Sequence, residues 1–263
     1  MSTPSGLIDA HAHLDMARFE ADLGEVLERA QNAGVSRIIT AGIDLPSSHK
    51  AIELAQQYPS VFAVVGIHPE EARNATLRDI ETLSVLAQNP CVVGIGEIGL
   101  DYYRDYGPRE KQIEVFRWQL DLALRLGLPV VIHARAADDD LVDLLCHWHQ
   151  EHPQMRPGVI HCFNTSLKNA RSYLELGYYL SLAGYIGYPS AKELRTVIAQ
   201  LPPERLLVET DSPFLPTQPH RGERCEPAYV AETAAELARL MGLSLEDTIR
   251  KTTQNTTQVF DLS

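Results

Sequence analysis

Short apolar runs alternate with longer amphipathic segments along the whole chain. The short runs are rich in β-branched residues and are bounded by turn-forming residues, so we predict that they form strands. The predicted strands are residues 7–10, 36–41, 61–65, 91–95, 129–132, 158–160, 178–182 and 205–208. The predicted helices include residues 21–33, 47–57, 109–126, 166–176, 227–241 and 244–260. This alternation predicts repeated βα units that build a parallel sheet.

The length of the chain and the number of βα units select the architecture. The chain has 263 residues, which is the usual size of one barrel of about eight βα units. No linker-like segment, low-complexity block or longer repeat interrupts the pattern, so we expect a single domain over residues 1–263. Gly94, Gly96 and Gly99 match a dinucleotide-binding fingerprint by letter, but no helix follows at once, and we regard the match as chance. We therefore predict an α/β fold of the (β/α)8 TIM-barrel class.

Charge and composition exclude several functional classes. The chain has 23 Lys and Arg residues against 35 Asp and Glu residues, a formal net charge of −12, which argues against a broad basic surface for duplex DNA. A phosphate substrate would have to find positive charge locally. No apolar stretch is long enough for a membrane span, and residues 1–6 lack the pattern of a signal peptide, so we expect a cytoplasmic protein. The cysteines form no C-x-x-C pair, and we expect them to be reduced.

Histidines and carboxylates follow the predicted strands. Active sites of TIM barrels lie at the carboxyl ends of the strands, so these residues are expected to converge on one site. They are His11, His13, His68, Glu97, His133, His161, Glu209 and Asp211. Two predicted strands run directly into His133 and His161, which should place both imidazoles at the same height on the rim.

This set of residues suits a pair of divalent ions. Imidazoles and carboxylates without thiolates favour Zn²⁺, Mn²⁺ or Mg²⁺. One hydrolytic ion usually takes about three protein ligands, and the set is larger than that, so two ions are the better fit. Two neighbouring cations need an anion between them. The lysines lie far from the strand ends, which excludes a carboxylated lysine and leaves Glu97 as the predicted bridge.

These residues stand in motifs that resemble the TatD family of metal-dependent deoxyribonucleases, in the amidohydrolase superfamily. The motifs are His11-Ala12-His13-Leu14-Asp15, Gly66-Ile67-His68-Pro69, Gly96-Glu97-Ile98-Gly99-Leu100-Asp101-Tyr102, Pro129 to Arg135, His161-Cys162-Phe163, Glu209-Thr210-Asp211-Ser212-Pro213 and Asn255. The resemblance implies that one ion is held by His11, His13, Glu97 and Asp211, and the other by Glu97, His133 and His161. It also implies substrate contacts at His68, Arg135 and Arg221. Asn164-Thr165-Ser166 departs from the Ser-Gly-Ser of many members, which bears on substrate preference.

The leading hypothesis is the hydrolysis of DNA phosphodiester bonds, with nucleotides removed from the end of a strand. Two divalent metal ions would lower the pKa of a water molecule toward neutrality. Asp211 is the predicted general base, and Glu209 could substitute for it. Single strands or ends of DNA are the expected partner, and the sequence indicates neither a membrane nor an obligate protein partner.

Two alternatives stay open at this stage. A similar metal site could hydrolyse a carboxylic ester or amide, such as an aminoacyl ester on tRNA. Arg135 and Arg221 favour a phosphate substrate only weakly over a carbonyl substrate. A partner-binding scaffold without activity would require the metal ligands to be vestigial, although all of them are present.

Overall fold

Eight parallel strands form one sheet whose spatial order is the order of the chain. This computed structural model describes residues 6–104 and 106–262. The strands are β1 (Leu7–Ala12), β2 (Val35–Ala41), β3 (Val61–Val65), β4 (Val92–Asp101), β5 (Val130–Arg135), β6 (Val159–Ile160), β7 (Tyr179–Leu182) and β8 (Leu206–Val208). The sheet curls into a nearly closed barrel, which confirms the predicted TIM-barrel class.

Helices cover the outside of the barrel. They are α1 (Leu23–Asn32), α2 (Leu45–Gln57), α3 (Leu77–Leu86), α4 (Arg109–Leu126), α5 (Asp138–Glu151), α6 (Leu167–Glu175), α7 (Lys192–Ile198), α8 (Val230–Met241) and α9 (Leu245–Phe260). The predicted ranges given above do not include α3, α5 and α7. At the start of α3 the backbone N–H of Thr76 donates to Asp79 (2.8 Å), which satisfies a donor at the helix end. No helix in the described part of the chain is long and apolar enough to span a membrane.

The interior of the barrel and the layer between strands and helices form separate apolar clusters. The interior cluster contains Val131, Val159 and Leu207, each two residues before a polar residue at the top of its strand. Val259, Phe260 and Leu262 belong to the same cluster, so the end of α9 closes the barrel at the amino-terminal ends of the strands. Because side chains alternate along a strand, His133, His161 and Glu209 point inward above this core.

Strand β4 is longer than predicted, and this changes where Glu97 lies. The strand spans Val92–Asp101 and is buried throughout, so Glu97 stands inside the strand and not after it. His11 and His133 likewise lie within β1 and β5. At Gly99, with φ 143°, an added Cβ would stand 2.0 Å from the carbonyl oxygen of His133, so only glycine permits this close approach of β4 and β5.

The barrel has a seam between β8 and β1. Among the described residues these two strands share no ladder, only an isolated bridge between Ala12 and Ser212. The loop after β8 closes the seam by backbone hydrogen bonds. The N–H of Asp211 donates to His11 O (2.9 Å), and the N–H of His13 donates to Ser212 O (2.7 Å).

A buried carboxylate reinforces the seam. Asp9 of β1 is fully buried, and its Oδ1 accepts the backbone N–H of Thr210 (2.9 Å) while its Oδ2 accepts the Thr210 hydroxyl (2.6 Å). A buried carboxylate is tolerated only when its oxygens are hydrogen-bonded. The pair Asp9 and Thr210 therefore ties the first strand to the segment that carries Asp211.

Candidate metal centre

The carboxylate of Glu97 lies at the centre of the residues predicted to bind metal. Its Oε2 is 3.3 Å from His11 Nε2 and 3.4 Å from His13 Nε2. Asp211 joins these two imidazoles, because its Oδ1 lies 3.4 Å from His13 Nε2 and 3.8 Å from His11 Nε2. We call His11, His13 and Asp211 the seam group, since they meet where the first and last strands adjoin.

The second oxygen of Glu97 faces a different set of imidazoles. Its Oε1 is 2.9 Å from His133 Nδ1 and 3.0 Å from His161 Nε2. We call His133 and His161 the ladder group, since β5 and β6 pair in a regular ladder below them. His68, which follows β3, also faces this oxygen, at 3.4 Å through Nε2. Each oxygen of Glu97 thus faces its own set of nitrogens.

Hydrogen-bond acceptors set the tautomers of two imidazoles in a way that suits metal binding. The Nδ1 of His13 lies 3.0 Å from the carbonyl oxygen of Ala41, which can only accept, so Nδ1 carries the hydrogen. The Nε2 of His133 lies 3.2 Å from Asp101 Oδ2 in the same way. In the neutral rings, the other nitrogen of each is then a lone pair directed at Glu97, as in metal ligands whose far nitrogen is held by an acceptor.

His161 and His11 complete this arrangement. The Nδ1 of His161 faces Glu209 Oε1 at 3.4 Å, so its Nε2 is left to face Glu97. Glu209 is held in place by the backbone N–H of Cys162, which donates to the same oxygen (2.6 Å). Within the described structure His11 Nδ1 and Glu209 Oε2 are buried without a hydrogen-bond partner, and such orphaned donors and acceptors are costly unless another group satisfies them.

His68 turns its protonated nitrogen toward Glu97, in contrast to the neutral rings of His13 and His133. Its Nδ1 accepts the backbone N–H of Glu70 (3.1 Å), so the hydrogen of the neutral ring is on Nε2 and points toward Glu97. Burial lowers the pKa of His68 to about 3, which keeps the ring neutral. His68 therefore offers a hydrogen-bond donor at this position, whereas His13 and His133 offer lone pairs.

The charges of the cluster fit bound cations. Burial raises the pKa of Glu97, but the surrounding histidines lower it further, to well below its usual value. Burial opposes a charge on His13, yet Asp211 and Glu97 raise the pKa of His13 to about 9. The ionised carboxylates thus favour a positive charge at His13, and a position that favours positive charge also suits a bound cation. The nitrogen and oxygen donors, with the unpartnered buried atoms, fit borderline or hard divalent ions.

Asp211 and Glu209 occupy different surroundings. The side chain of Asp211 is 13% exposed, and that of Glu209 is 0% exposed. Asp211 stands two residues after Glu209, and continued strand alternation would point both side chains the same way, but β8 ends at Val208 and Asp211 has a left-handed backbone with φ 56°. The expectation from alternation therefore does not apply here. Solvent reaches the carboxylate of Asp211 and does not reach that of Glu209.

Arg135 and Arg221, for which the resemblance to the TatD family implies substrate contacts, lie exposed at the rim. The guanidinium of Arg135 lies over the ring of Tyr103, 4.0 Å from its centre, and that of Arg221 lies over Tyr188 at 4.2 Å. No carboxylate among the described residues forms an ion pair with either arginine. Each planar cation is therefore held by an aromatic face and keeps its hydrogen-bond donors available.

Asp101 was not among the predicted site residues, although its Oδ2 lies 3.2 Å from His133 Nε2. Asp101 is the last residue of β4 and is buried. It stands four residues after Glu97 in the same strand, and a longer predicted strand would have placed both carboxylates on one face. The signal was present in the sequence, but the predicted end of the strand hid it.

A TIM barrel that gathers imidazoles and carboxylates at the carboxyl ends of its strands has the architecture of a metal-dependent hydrolase. The family model described as TatD related DNase matches residues 8–261. The chain belongs to the TatD family of metal-dependent hydrolases, as the motifs predicted.

Relatives align with the chain over nearly its whole length. It is 38% identical to an uncharacterized metal-dependent hydrolase, YabD of Bacillus subtilis, over 98% of this chain and 100% of that protein. It is 33% identical to the 3'-5' ssDNA/RNA exonuclease TatD of Erwinia tasmaniensis, over 97% of this chain and 100% of that protein. The crystal structure of the TatD homologue YjjV from Escherichia coli superposes with a TM-score of 0.92 at 34% identity and 98% coverage of both chains.

Proposed function

We propose that this hydrolase cleaves phosphodiester bonds in single-stranded DNA and removes nucleotides from an end. The observation that carries the proposal is the pair of rim arginines, Arg135 and Arg221, which stand at the mouth of the metal centre without carboxylate partners among the described residues. Guanidinium groups of this kind bind phosphate through several parallel hydrogen bonds. A relative named as a single-strand DNA and RNA exonuclease supports the same substrate class.

The residues around Glu97 would hold two divalent ions. The seam group and Glu97 Oε2 would hold one ion, and the ladder group and Glu97 Oε1 would hold the other. When bound, such ions acidify a water molecule and neutralise charge that develops on phosphoryl oxygens. Glu97 would then balance the repulsion between the two cations.

Asp211 is the proposed general base. It is the carboxylate of the seam group, and its partial exposure lets it accept a proton from an attacking water molecule. Its backbone is fixed on both sides, because its N–H donates to His11 O (2.9 Å) and its carbonyl accepts the N–H of Phe214 (2.8 Å). Glu209 is buried against His161, so we assign it the orientation of that imidazole, and a base role only when Asp211 is removed.

Neutral and cationic donors would bind the substrate. His68 presents its Nε2 hydrogen beside the cluster, where it could bind a phosphoryl oxygen. Arg135 and Arg221 would bind phosphates at two sides of the mouth. Since these contacts are few and local, the formal net charge of −12 is compatible with a substrate gripped only at its end.

The test compares substrates under metal loading and chelation. End-labelled single-stranded DNA, duplex DNA, RNA and a panel of carboxylic esters are incubated with metal-loaded protein, with and without excess chelator. We expect stepwise shortening of single-stranded DNA that stops on chelation. Cleavage of esters with intact DNA would overturn the proposal, and so would shortening of DNA by protein that holds no more than traces of metal.

A further inference from the structure

Two exposed aromatic rings flank the mouth of the metal centre. Tyr103 is 66% exposed and Phe214 is 42% exposed. The other strongly exposed large apolar side chains of the described residues are aliphatic and lie on helices α3 and α9. Among the described residues, the strongly exposed aromatic side chains are therefore these two, and both lie at the mouth.

The two rings lie on opposite sides of the barrel. Phe214 is in the loop after β8, and its ring centre is 6.1 Å from that of His13 in the seam group. Tyr103 follows β4 and lies under Arg135 at the end of β5. In a ring of eight strands, the junction of β8 and β1 is opposite the junction of β4 and β5. The Glu97 carboxylate lies between them.

The surroundings of each ring suit a nucleotide better than a purely apolar ligand. Arg135 covers Tyr103 with a cation, and Arg18 lies beside the loop that carries Phe214, since its guanidinium donates to the carbonyl of Pro213 (3.4 Å). An exposed ring beside a guanidinium can bind a flat base next to an anionic phosphate. Stacking of a base on an aromatic side chain contributes about 1–3 kcal/mol.

We propose that Tyr103 and Phe214 stack on the bases on either side of the cleaved phosphodiester and so select unpaired strands. This proposal rests on the proposed function, because it places the cleaved bond at the metal centre between the rings. Bases inside a duplex are covered on both faces by their neighbours, so a duplex cannot offer two separate faces to rings on opposite sides. A single strand can open its bases toward both.

The first experiment measures cleavage by Tyr103→Ala and Phe214→Ala. For each variant, kcat/KM for a short single-stranded oligonucleotide is divided by kcat/KM for the same oligonucleotide with abasic sites on both sides of the cleaved bond. We expect this ratio to fall roughly 5- to 150-fold, which corresponds to the loss of one stacked base. Val85→Ala, at an exposed residue near the carboxyl end of α3, is the matched control and should keep the ratio. Tyr103→Phe and Phe214→Tyr should restore it.

The second experiment measures stacking without catalysis. An oligonucleotide that carries 2-aminopurine at its terminal positions is titrated with protein in excess chelator. We expect the fluorescence to be quenched by the unsubstituted protein and less by each alanine variant. Replacing the terminal base with an abasic site should abolish the difference in quenching between the unsubstituted protein and one alanine variant. That variant is Phe214→Ala or Tyr103→Ala, according to which ring stacks on the terminal base.

The outcomes separate this proposal from the proposed function. Hydrolysis of carboxylic esters without any cleavage of oligonucleotides overturns the proposed function, and the quenching assay then decides base stacking by itself. Cleavage of DNA with unchanged ratios and unchanged quenching in both alanine variants overturns the stacking proposal alone. A loss that persists with abasic substrates assigns the rings a structural role and also overturns it.

Discussion

The two oxygens of Glu97 face imidazoles that are held in place by different means. His133 and His161 stand on paired strands, and carboxylates of Asp101 and Glu209 face their far nitrogens. The seam group stands where two strands adjoin without a ladder in the described chain. There, backbone hydrogen bonds of the loop after β8 hold the residues together.

This difference separates residues that are fixed by the strands from the residue that we propose as the general base. On the ladder side, regular strands and buried carboxylates fix the imidazoles, although the side chain of His133 is 17% exposed and that of His161 is 3% exposed. On the seam side, Asp211 adopts a left-handed backbone in a loop and is partly open to solvent. Barrels commonly place reactive residues on such loops and rely on the strands as a rigid support. The predictions below test how far the two sides act independently.

The largest effect is expected for Glu97→Ala, because this carboxylate serves both sides. We expect loss of metal from both groups and a fall in kcat beyond about 10⁴-fold, since each ion stabilises the transition state by several kcal/mol. Metal content after loading, measured by elemental analysis, is compared with that of His11→Ala, which removes one imidazole of the seam group and leaves Glu97 in place. Equal loss of metal in the two variants would contradict the bridging position of Glu97.

Asp211→Asn should separate chemistry from binding on the seam side. Asparagine keeps an oxygen but is a far weaker base, so kcat at saturating metal should fall roughly 10²–10⁴-fold. The ion of the ladder group should remain, as elemental analysis would report. The companion variants are Glu209→Gln and the double substitution. If Asp211→Asn keeps near-normal kcat and a large loss appears only with Glu209→Gln, the general base is Glu209.

Asp101→Asn and Glu209→Gln should weaken the ladder side through the imidazoles that they face. Loss of such outer carboxylates typically reduces metal affinity about 10- to 100-fold. Metal competition titrations should show one weakened ion and one unchanged ion. The control is Asp247→Asn, an exposed carboxylate at the start of α9. Weakening of both ions to the same degree would show that the two sides are not independent.

The smallest effect is expected at the rim. Arg135→Ala and Arg221→Ala should raise KM for single-stranded DNA up to about fivefold each, as for an exposed ionic contact, and should leave the metal content unchanged. Arg239→Ala on the outer helix α8 is the control. If neither rim variant changes the kinetics on DNA, Arg135 and Arg221 have only a structural role at the surface.

The sequence predicted the barrel and part of the site because both depend on local patterns. Alternation of β-branched runs and amphipathic helices identified the strands, and His133 and His161 were visible as residues that end an apolar run. The position of Glu97 inside β4 was not predictable in this way. The β4–β5 register shifts between Ile95 and Ile98, and such an irregularity depends on contacts between strands and not on the local period.

The relation of Asp211 to Glu209 was also hidden from the sequence. It depends on a left-handed residue after a three-residue strand, and simple alternation cannot represent that geometry. The partner of His133 was missed for a related reason, because Asp101 belongs to the part of β4 beyond its predicted end. The hydrophobic periodicity and the motifs thus identified the residues that could bind metal. Their orientation depends on tertiary contacts, which the local sequence does not show.

The seam makes one half of the site a late product of folding. Asp211 and the two histidines of the seam group are separated by nearly the whole length of the barrel-forming chain, whereas Glu97, His133 and His161 lie within its middle part. Contacts between distant parts of a chain form late, because they close long loops. Glu209 and Asp211 both follow β8, so a nascent chain that has not yet added β8 lacks the carboxylate of the seam group and the carboxylate that faces His161. The seam group is therefore complete only when the ends of the barrel have met, and the ladder group gains Glu209 at the same stage.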